Sequence, residues 1–196
     1  MRAMSVTRFV LFGAVGFGIG GTVAGACWPL AFVTRGASAL LFILSGAVGG
    51  ASLGLALGDR GRTIKLVLLG TLGFTLGGIV ALVIAFGFMS GSEEYGARGM
   101  MGIFGGAMVG ASLAFAFGGW KRIVVLTLAG AVGSGAGVVI GAFALQGMFG
   151  AGFLVGTSGT IALYAITGII GGAALGAALG YLESRKLTAE QRPRVR

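Results

Sequence analysis

Six apolar runs, separated by short charged turns, constrain the fold of this chain more than any other feature. The runs cover residues 9–29, 37–58, 64–89, 99–118, 123–146 and 160–181, and Lys65 is the one charged residue inside them. An α-helix needs about twenty consecutive apolar residues to cross the hydrocarbon core of a bilayer. The pattern therefore predicts an all-α integral membrane protein with six transmembrane helices.

The scarcity of charge excludes a water-exposed globule. Charged residues make up 10% of the 196 residues, against about 25% in a typical soluble domain. The formal net charge of +9 would favour a nucleic-acid partner if the protein were soluble. Because the basic residues lie in turns between apolar runs, we expect membrane lipids as partners and no nucleic acid.

The basic residues also predict which side of the membrane each turn faces. Arg35 and Arg98 are the only 2 of the 14 Lys and Arg residues on one side. Cytoplasmic turns carry the excess of basic residues, so we expect both termini in the cytoplasm and the membrane to be a bacterial plasma (inner) membrane. The candidates for contact with anionic lipid headgroups are Arg60, Arg62, Lys65, Lys121, Arg122, Arg185 and Lys186.

Three copies of one helical hairpin make up the chain, with approximate limits 8–62, 65–121 and 122–186, followed by a basic cytoplasmic tail, 187–196. In the second run of each hairpin, small residues recur four apart: Gly46, Gly50, Gly54 and Gly58; Gly106, Gly110, Ala114 and Gly118; and Gly168, Gly172, Gly176 and Gly180. In the first run, the shared glycines are Gly13, Gly16 and Gly20; Gly70, Gly73 and Gly77; and Gly130, Gly133 and Gly137. The repetition predicts one domain, residues 1–186, with a pseudo-threefold axis along the membrane normal.

These small residues are predicted to form glycine zippers between helices. Lipid tails are as apolar as leucine, so helices associate in a bilayer through van der Waals contact at small residues. Residues three and four apart lie on one face of a helix. Each helix would then turn its glycine face to a neighbour and its bulky residues, such as Val109, to lipid.

The third hairpin differs from the others in its outer loop, residues 147–159. The loop is rich in glycine, contains no charge and includes Phe149 and Phe153. This composition favours a mobile surface loop, and the alternative is a segment that dips into the membrane interface or covers the outer end of the bundle. Cys27 is the only cysteine, and we interpret it as a small packing residue.

No constellation of residues suited to catalysis occurs in the sequence. Histidine is absent, which removes the commonest general base and transition-metal ligand. The acidic residues lie outside the six runs, in predicted turns or the tail: Asp59, Glu93, Glu94, Glu183 and Glu190. The glycine runs are similar to those of the proteolipid rotor subunits of ATP synthases, but the mid-membrane carboxylate with which those subunits carry ions is missing. We therefore expect no enzyme activity, no metal and no cofactor.

A polar pathway along a threefold axis would need the same polar position in each repeat. Ser52 and Ser112 correspond, but the third copy has Ala174, so no ring of hydroxyl groups forms. We expect most membrane-embedded hydroxyls to bond to carbonyl groups of their own helices.

Two functions are compatible with these features. The surplus of glycine faces and the lack of reactive groups favour a non-catalytic accessory or scaffolding subunit, which packs against other membrane proteins or against copies of itself. The threefold repeat favours a small channel or transporter for an uncharged or weakly polar solute. On the sequence alone, the first interpretation is preferred.

The predicted topology can be tested by cysteine accessibility in a variant whose Cys27 is replaced by alanine. A membrane-impermeant maleimide is expected to label Glu93→Cys in intact cells, and Glu190→Cys only after permeabilisation, because the basic turns stay inside. The two variants are controls for each other. The reverse labelling pattern would contradict the predicted orientation.

Overall fold

The computed structural model describes residues 6–33, 37–88 and 94–191. Side-chain surroundings are described for residues 6–26, 42–81, 83–84, 100–150, 152–154 and 156–185. Predictions that concern the side chains of Cys27, Arg35, Glu93, Glu94, Arg98, Lys186 and Glu190, or residues 192–196 of the tail, lie outside these ranges.

Six α-helices and one short 3₁₀ helix account for almost all of the described chain. The α-helices are α1 (Val6–Val33), α2 (Ala37–Leu57), α3 (Arg60–Phe88), α4 (Glu94–Phe115), α5 (Trp120–Phe149) and α6 (Thr157–Gln191). The 3₁₀ helix, Ala151–Val155, lies between α5 and α6. The all-helical prediction is confirmed for the described residues, among which no strand occurs.

Four of these helices are long and apolar enough to cross a membrane. The qualifying segments are Val6–Ala26, Arg60–Ala81, Trp120–Phe149 and Thr157–Arg185. The described apolar parts of α2 and α4, Phe42–Leu57 and Met100–Phe115, are shorter. By length and composition, the helices indicate a membrane protein.

Large apolar side chains cover the outside of the bundle. Leu68, Val83, Phe115 and Val132 are each 65% to 68% exposed. Soluble monomers rarely expose contiguous apolar patches of large area, whereas lipid-facing surfaces consist of them.

Val109 departs from the predicted pattern, because it is 6% exposed and packs inside the bundle. The prediction that Val109 faces lipid is wrong.

The helices form a closed ring. Each helix packs mainly against its neighbours in chain order, and α6 returns to pack against α1, the most extensive contact of all. The start of α1 lies beside α6 about three turns before α6 ends at Gln191, because the backbone at Gly180 approaches that of Val6. We call this end of the ring the terminal end, and the other the opposite end.

Tight turns at the terminal end join α2 to α3 and α4 to α5. Gly58 and Gly118 have φ angles of 68° and 62°, in the left-handed region that glycine adopts without steric penalty. A β-carbon at either position would meet nothing within 4 Å. These two glycines, counted in the sequence among the packing positions, instead end helices.

The antiparallel pairs α2–α3 and α4–α5 touch through their backbones at glycine. Gly46 lies against Gly70 in the first pair, and Gly106 lies against Gly130 in the second. A β-carbon on any of these four residues would collide with the carbonyl oxygen of its partner. Contacts nearer the terminal end are Gly50 with Leu66, Gly54 with Thr63 and Gly110 with Leu126.

The pair α1–α6, which closes the ring, has a different register. Gly13 aligns in sequence with Gly70 and Gly130, so the repeat predicts that Gly13 meets Gly168. It lies instead against Gly172, one turn further along α6, or about 5.4 Å. Both registers offer a glycine, because small residues recur at every fourth position of α6. Further contacts of this pair are Gly168 with Phe17, Gly176 with Phe9 and Gly180 with Val6.

The remaining interfaces, α1–α2, α3–α4 and α5–α6, use other glycines of the odd-numbered helices. The contacts are Gly16 with Ser52, Gly73 with Ser112 and Gly133 with Ala174, followed by Gly20 with Ser45, Gly77 with Gly105 and Gly137 with Thr167. The two serines that correspond between repeats therefore lie at helix contacts, away from the ring axis.

Leucine at Gly50 is expected to push α3 away from α2, because even a β-carbon there would collide with the backbone of Leu66. Overpacking of a tight contact costs about 1–3 kcal/mol, and Gly50→Ala should show a smaller loss in the same direction. Val132→Leu, at an exposed site, is the control and should leave Tm unchanged. Thermal unfolding in mild detergent measures all three variants. An unchanged Tm for Gly50→Leu would contradict close packing at this position.

Candidate functional site

A cavity of about 160 Å³ lies at the centre of the helix ring. Every helix contributes to its wall, which includes Phe17 of α1, Phe42 of α2, Phe74 of α3, Met101 of α4, Ser134 of α5 and Leu163 of α6. Glycines supply much of the rest, among them four predicted packing residues: Gly77, Gly106, Gly168 and Gly172. The same residue type that lets the helices approach therefore leaves space on the ring axis.

The wall of the cavity is mainly apolar. Its polar side chains are Ser134 on α5 and Thr160, Tyr164 and Thr167 on α6, and none of the described residues around it is charged. Transfer of an ion out of water is costly unless the ion finds a partner. The cavity therefore suits an uncharged molecule.

Four hydroxyls inside the apolar runs bond to their own helix, but Thr71 donates to the carbonyl oxygen of Ile43 on α2 and the buried Oγ1 of Thr127 has no hydrogen-bond partner among the described residues. Thr22, Thr75 and Thr167 each donate to the carbonyl oxygen four residues earlier, over 2.8 to 2.9 Å. Ser52 donates to the carbonyl oxygen of Gly49 over 2.8 Å. The Oγ of Ser134 lies beside glycines of two neighbouring helices, Gly106 of α4 and Gly171 of α6.

Two phenyl rings meet across the interior of the ring of helices. The ring centroids of Phe17 and Phe74 are 5.8 Å apart, and their planes differ by 21°. Aromatic pairs are favourable at this separation. Because α1 and α3 are separated by α2 in the ring, this stack connects two helices that are not neighbours.

An apolar cluster closes the cavity toward the terminal end. Each helix contributes a side chain that is at most 4% exposed: Phe9, Leu53, Leu57, Leu66, Leu113, Leu126 and Leu179. Close packing of such a cluster leaves few voids as large as a water molecule. We call this cluster the terminal plug.

An ion pair crosses the terminal end of the ring. Arg62 Nη1, in the first turn of α3, lies 3.6 Å from Oε2 of Glu183 on α6, the helix on the far side of the ring. Asp59 holds the arginine from its other side, with Oδ2 3.4 Å from Nε of Arg62. Glu183 is 8% exposed. The prediction that Glu183 lies in a turn or the tail is wrong, because α6 continues through it to Gln191.

Five other predicted lipid-contact residues lie on α3, α5 and α6 at the terminal end. Arg60, Lys65, Lys121 and Arg185 are exposed at the terminal end. Arg122 instead donates from Nη1 to the carbonyl oxygen of Phe117 over 2.7 Å. Arg60, Lys65 and Lys121 are thus exposed, whereas Arg62 and Arg122 make contacts within the protein and the guanidinium of Arg185 lies 4.9 Å from the ring centroid of Tyr181.

At the opposite end, the loop of the third hairpin packs onto α5 and α6. Leu154, in the 3₁₀ helix, is 1% exposed and lies against Leu145 and Leu163. The rings of Phe149 and Phe153 stack with centroids 4.5 Å apart. The segment therefore packs on the two helices that it joins, and Phe149 is the last residue of α5.

Neither protein-family models, nor curated proteins, nor solved structures give a match to this chain. Within the described residues, no three potential metal ligands lie together. Any inference about function therefore depends on the central cavity and on the contacts that close it.

Removal of Arg62 is expected to destabilise the fold, because Glu183 would keep a buried charge without its partner. For a pair whose arginine is partly exposed, we expect a loss of about 1–2 kcal/mol in the Arg62→Met variant. A further Glu183→Gln substitution should recover part of that loss. Lys121→Met, which removes an exposed basic residue from the same end, is the control for charge. Thermal unfolding measures the four proteins, and equal Tm values for Arg62→Met and Lys121→Met would contradict the ion pair.

Proposed function

We propose that this chain is a six-helix integral membrane protein that takes up a small uncharged solute in its central cavity and passes it across the bilayer. The observation that carries the proposal is a cavity whose wall comes from every helix of the ring and contains no charged group among its described residues. Ligand sites in membrane bundles commonly lie between helices at the interface of repeats. A solute that is uncharged or weakly polar fits this wall.

In this proposal, all six helices cross the membrane as three glycine-zipper hairpins around a pseudo-threefold axis. The displaced register of Gly13 on Gly172 makes the symmetry approximate. The terminal end, with Arg60, Lys65, Lys121 and Arg185 exposed, lies in the cytoplasm among anionic headgroups. Each basic residue near such a surface contributes about 1 kcal/mol. A bacterial inner membrane has the required anionic leaflet.

The structure offers less support for the accessory or scaffolding role than the sequence does. That interpretation depended on a surplus of glycine faces for partner proteins. The described glycines of the helix interiors instead contact neighbouring helices of the same chain, as Gly50 and Gly110 do. The outward surface consists of bulky residues such as Val132 and Leu68, which suit lipid chains.

Passage through the ring requires a change of conformation. The terminal plug fills the axis with packed leucine and phenylalanine side chains, including Phe9 and Leu66, and Arg62 and Glu183 join opposite walls beside it. The described conformation therefore corresponds to a state closed at the cytoplasmic end. Opening would require α3 and α6 to separate, as in carriers that rock their repeats around a central site.

Transport can be tested with proteoliposomes and stopped-flow light scattering. Glycerol and 1,2-propanediol are expected to enter liposomes with the wild-type protein faster than empty liposomes, while chloride entry stays at the background rate. Gly105→Leu should abolish the difference. Gly105 lines the cavity, and a β-carbon there would have only the carbonyl oxygen of Gly77 nearby, at 3.8 Å, so the leucine fills space without a backbone collision.

Val139→Leu, at a site 49% exposed on the outer surface, is the matched control and should transport like the wild type. Entry rates equal to those of empty liposomes for both solutes would contradict the proposed transport. The accessory role would then be the better explanation of the ring.

A further inference from the structure

The central cavity lies where one of three equivalent aromatic rings is missing. The first run of each hairpin reads GAVGF from Gly13, GTLGF from Gly70 and GAVGS from Gly130. The fifth position of this pattern is Phe17, Phe74 and Ser134, and all three residues line the cavity. Two repeats thus place a phenyl ring in the interior, and the third places a hydroxymethyl group there.

The size of the cavity agrees with the absence of one aromatic ring. Its volume is about 160 Å³. An apolar cavity of about 150 Å³, engineered in another protein, stays dry and binds benzene. The space on the axis is therefore of the size that one six-membered aromatic ring needs.

The surroundings of the cavity suit such a ring. Phe17 and Phe74 already stack, with centroids 5.8 Å apart, and a third ring beside them would gain further offset or edge-to-face contact. Met101 contributes to the wall, and thioether sulfurs make favourable contacts with aromatic rings. Aliphatic walls alone would not select for a planar ligand.

Ser134 supplies the polar part of the site. Its Oγ lies between glycines of two other helices, since a β-carbon built on Gly106 or Gly171 would come within 2.5 or 2.6 Å of it. This hydroxyl belongs to a wall that is mainly apolar. A hydrogen bond is electrostatically stronger in such surroundings than in water, so a ligand that bonds to Ser134 gains affinity over one that cannot.

We propose that the cavity binds a neutral, single-ring aromatic molecule with one hydrogen-bonding group, as in the phenols. The ligand ring takes the place of the missing phenyl group beside Phe17 and Phe74, and its polar group bonds to Oγ of Ser134. The inference deepens the proposed function, on which it rests, by naming the class of the solute. It concerns binding, so it is tested without transport.

The test uses 4-fluorophenol and ligand-detected ¹⁹F NMR with the full-length protein in detergent. Wild-type protein is expected to show saturable binding that 1-hexanol displaces only weakly. Ser134→Phe should abolish that binding and raise Tm, because its own ring fills the cavity. Val132→Phe adds the same ring to the lipid-facing side of the same helix, where Val132 is 68% exposed, and should bind like the wild type. This control separates the cavity from partition into the micelle.

A conservative variant tests the hydroxyl separately. Ser134→Ala should weaken binding of 4-fluorophenol by about three- to tenfold, the effect of losing one neutral hydrogen bond. Its affinity for fluorobenzene, which lacks the polar group, should not change. Because alanine only removes an oxygen atom, this variant is informative even where Ser134→Phe fails to fold.

Three outcomes would overturn the inference. Equal binding of 4-fluorophenol by wild type and Ser134→Phe would locate the ligand outside the cavity. Saturable binding of 1-hexanol but not of 4-fluorophenol, lost in Ser134→Phe, would reject the aromatic ligand while the proposed cavity function stands. Saturable binding of neither probe would overturn the aromatic ligand, while the proposed function would stand or fall by the entry rates of glycerol and 1,2-propanediol.

Discussion

Close approach of helix backbones at glycine is the interaction on which the whole ring depends. Within a bilayer, apolar side chains gain nothing by leaving lipid for a neighbouring helix, so association comes from dispersion and weak Cα–H···O contacts at short range. Gly46 against Gly70 and Gly106 against Gly130 bring carbonyl oxygens to where a side chain would otherwise stand. Such contacts link each helix to both neighbours, which leaves the bulky residues to lipid and the axis only partly filled.

The number of helices and their order followed from the sequence, because charge and apolar length decide where a chain enters and leaves a membrane. The register of α1 on α6 did not. Small residues recur at every fourth position of α6, so pairing Gly13 with Gly168 or with Gly172 satisfies the same rule, and only the three-dimensional closure of the ring selects between them. The extension of α6 through Glu183 was missed for a similar reason, since a charged residue ends an apolar run without ending a helix.

The candidate site was predictable in part. Glycine spacing identified residues such as Gly106 and Gly172, which lie both at helix contacts and in the cavity wall. Ser52 and Ser112, the hydroxyls that correspond between two repeats, lie between helices and not on the axis. The sequence feature that locates the cavity is the serine, Ser134, at the repeat position where the other two hairpins have Phe17 and Phe74. That feature becomes meaningful only once Phe17 and Phe74 are seen to meet across the axis.

The adjacency of Val6 and Gly180 has a consequence for how the chain could be connected. In a closed ring no helix is structurally first, and the peptide bonds between hairpins serve mainly as tethers. A short linker from α6 just after Gly180 to Val6 of α1, with new ends opened at the Gly58 or Gly118 turn, would leave each helix in its present direction and beside its present neighbours. The order in which the hairpins are synthesised is therefore independent of the architecture. A circularly permuted gene would encode the same ring with its chain ends at a different turn.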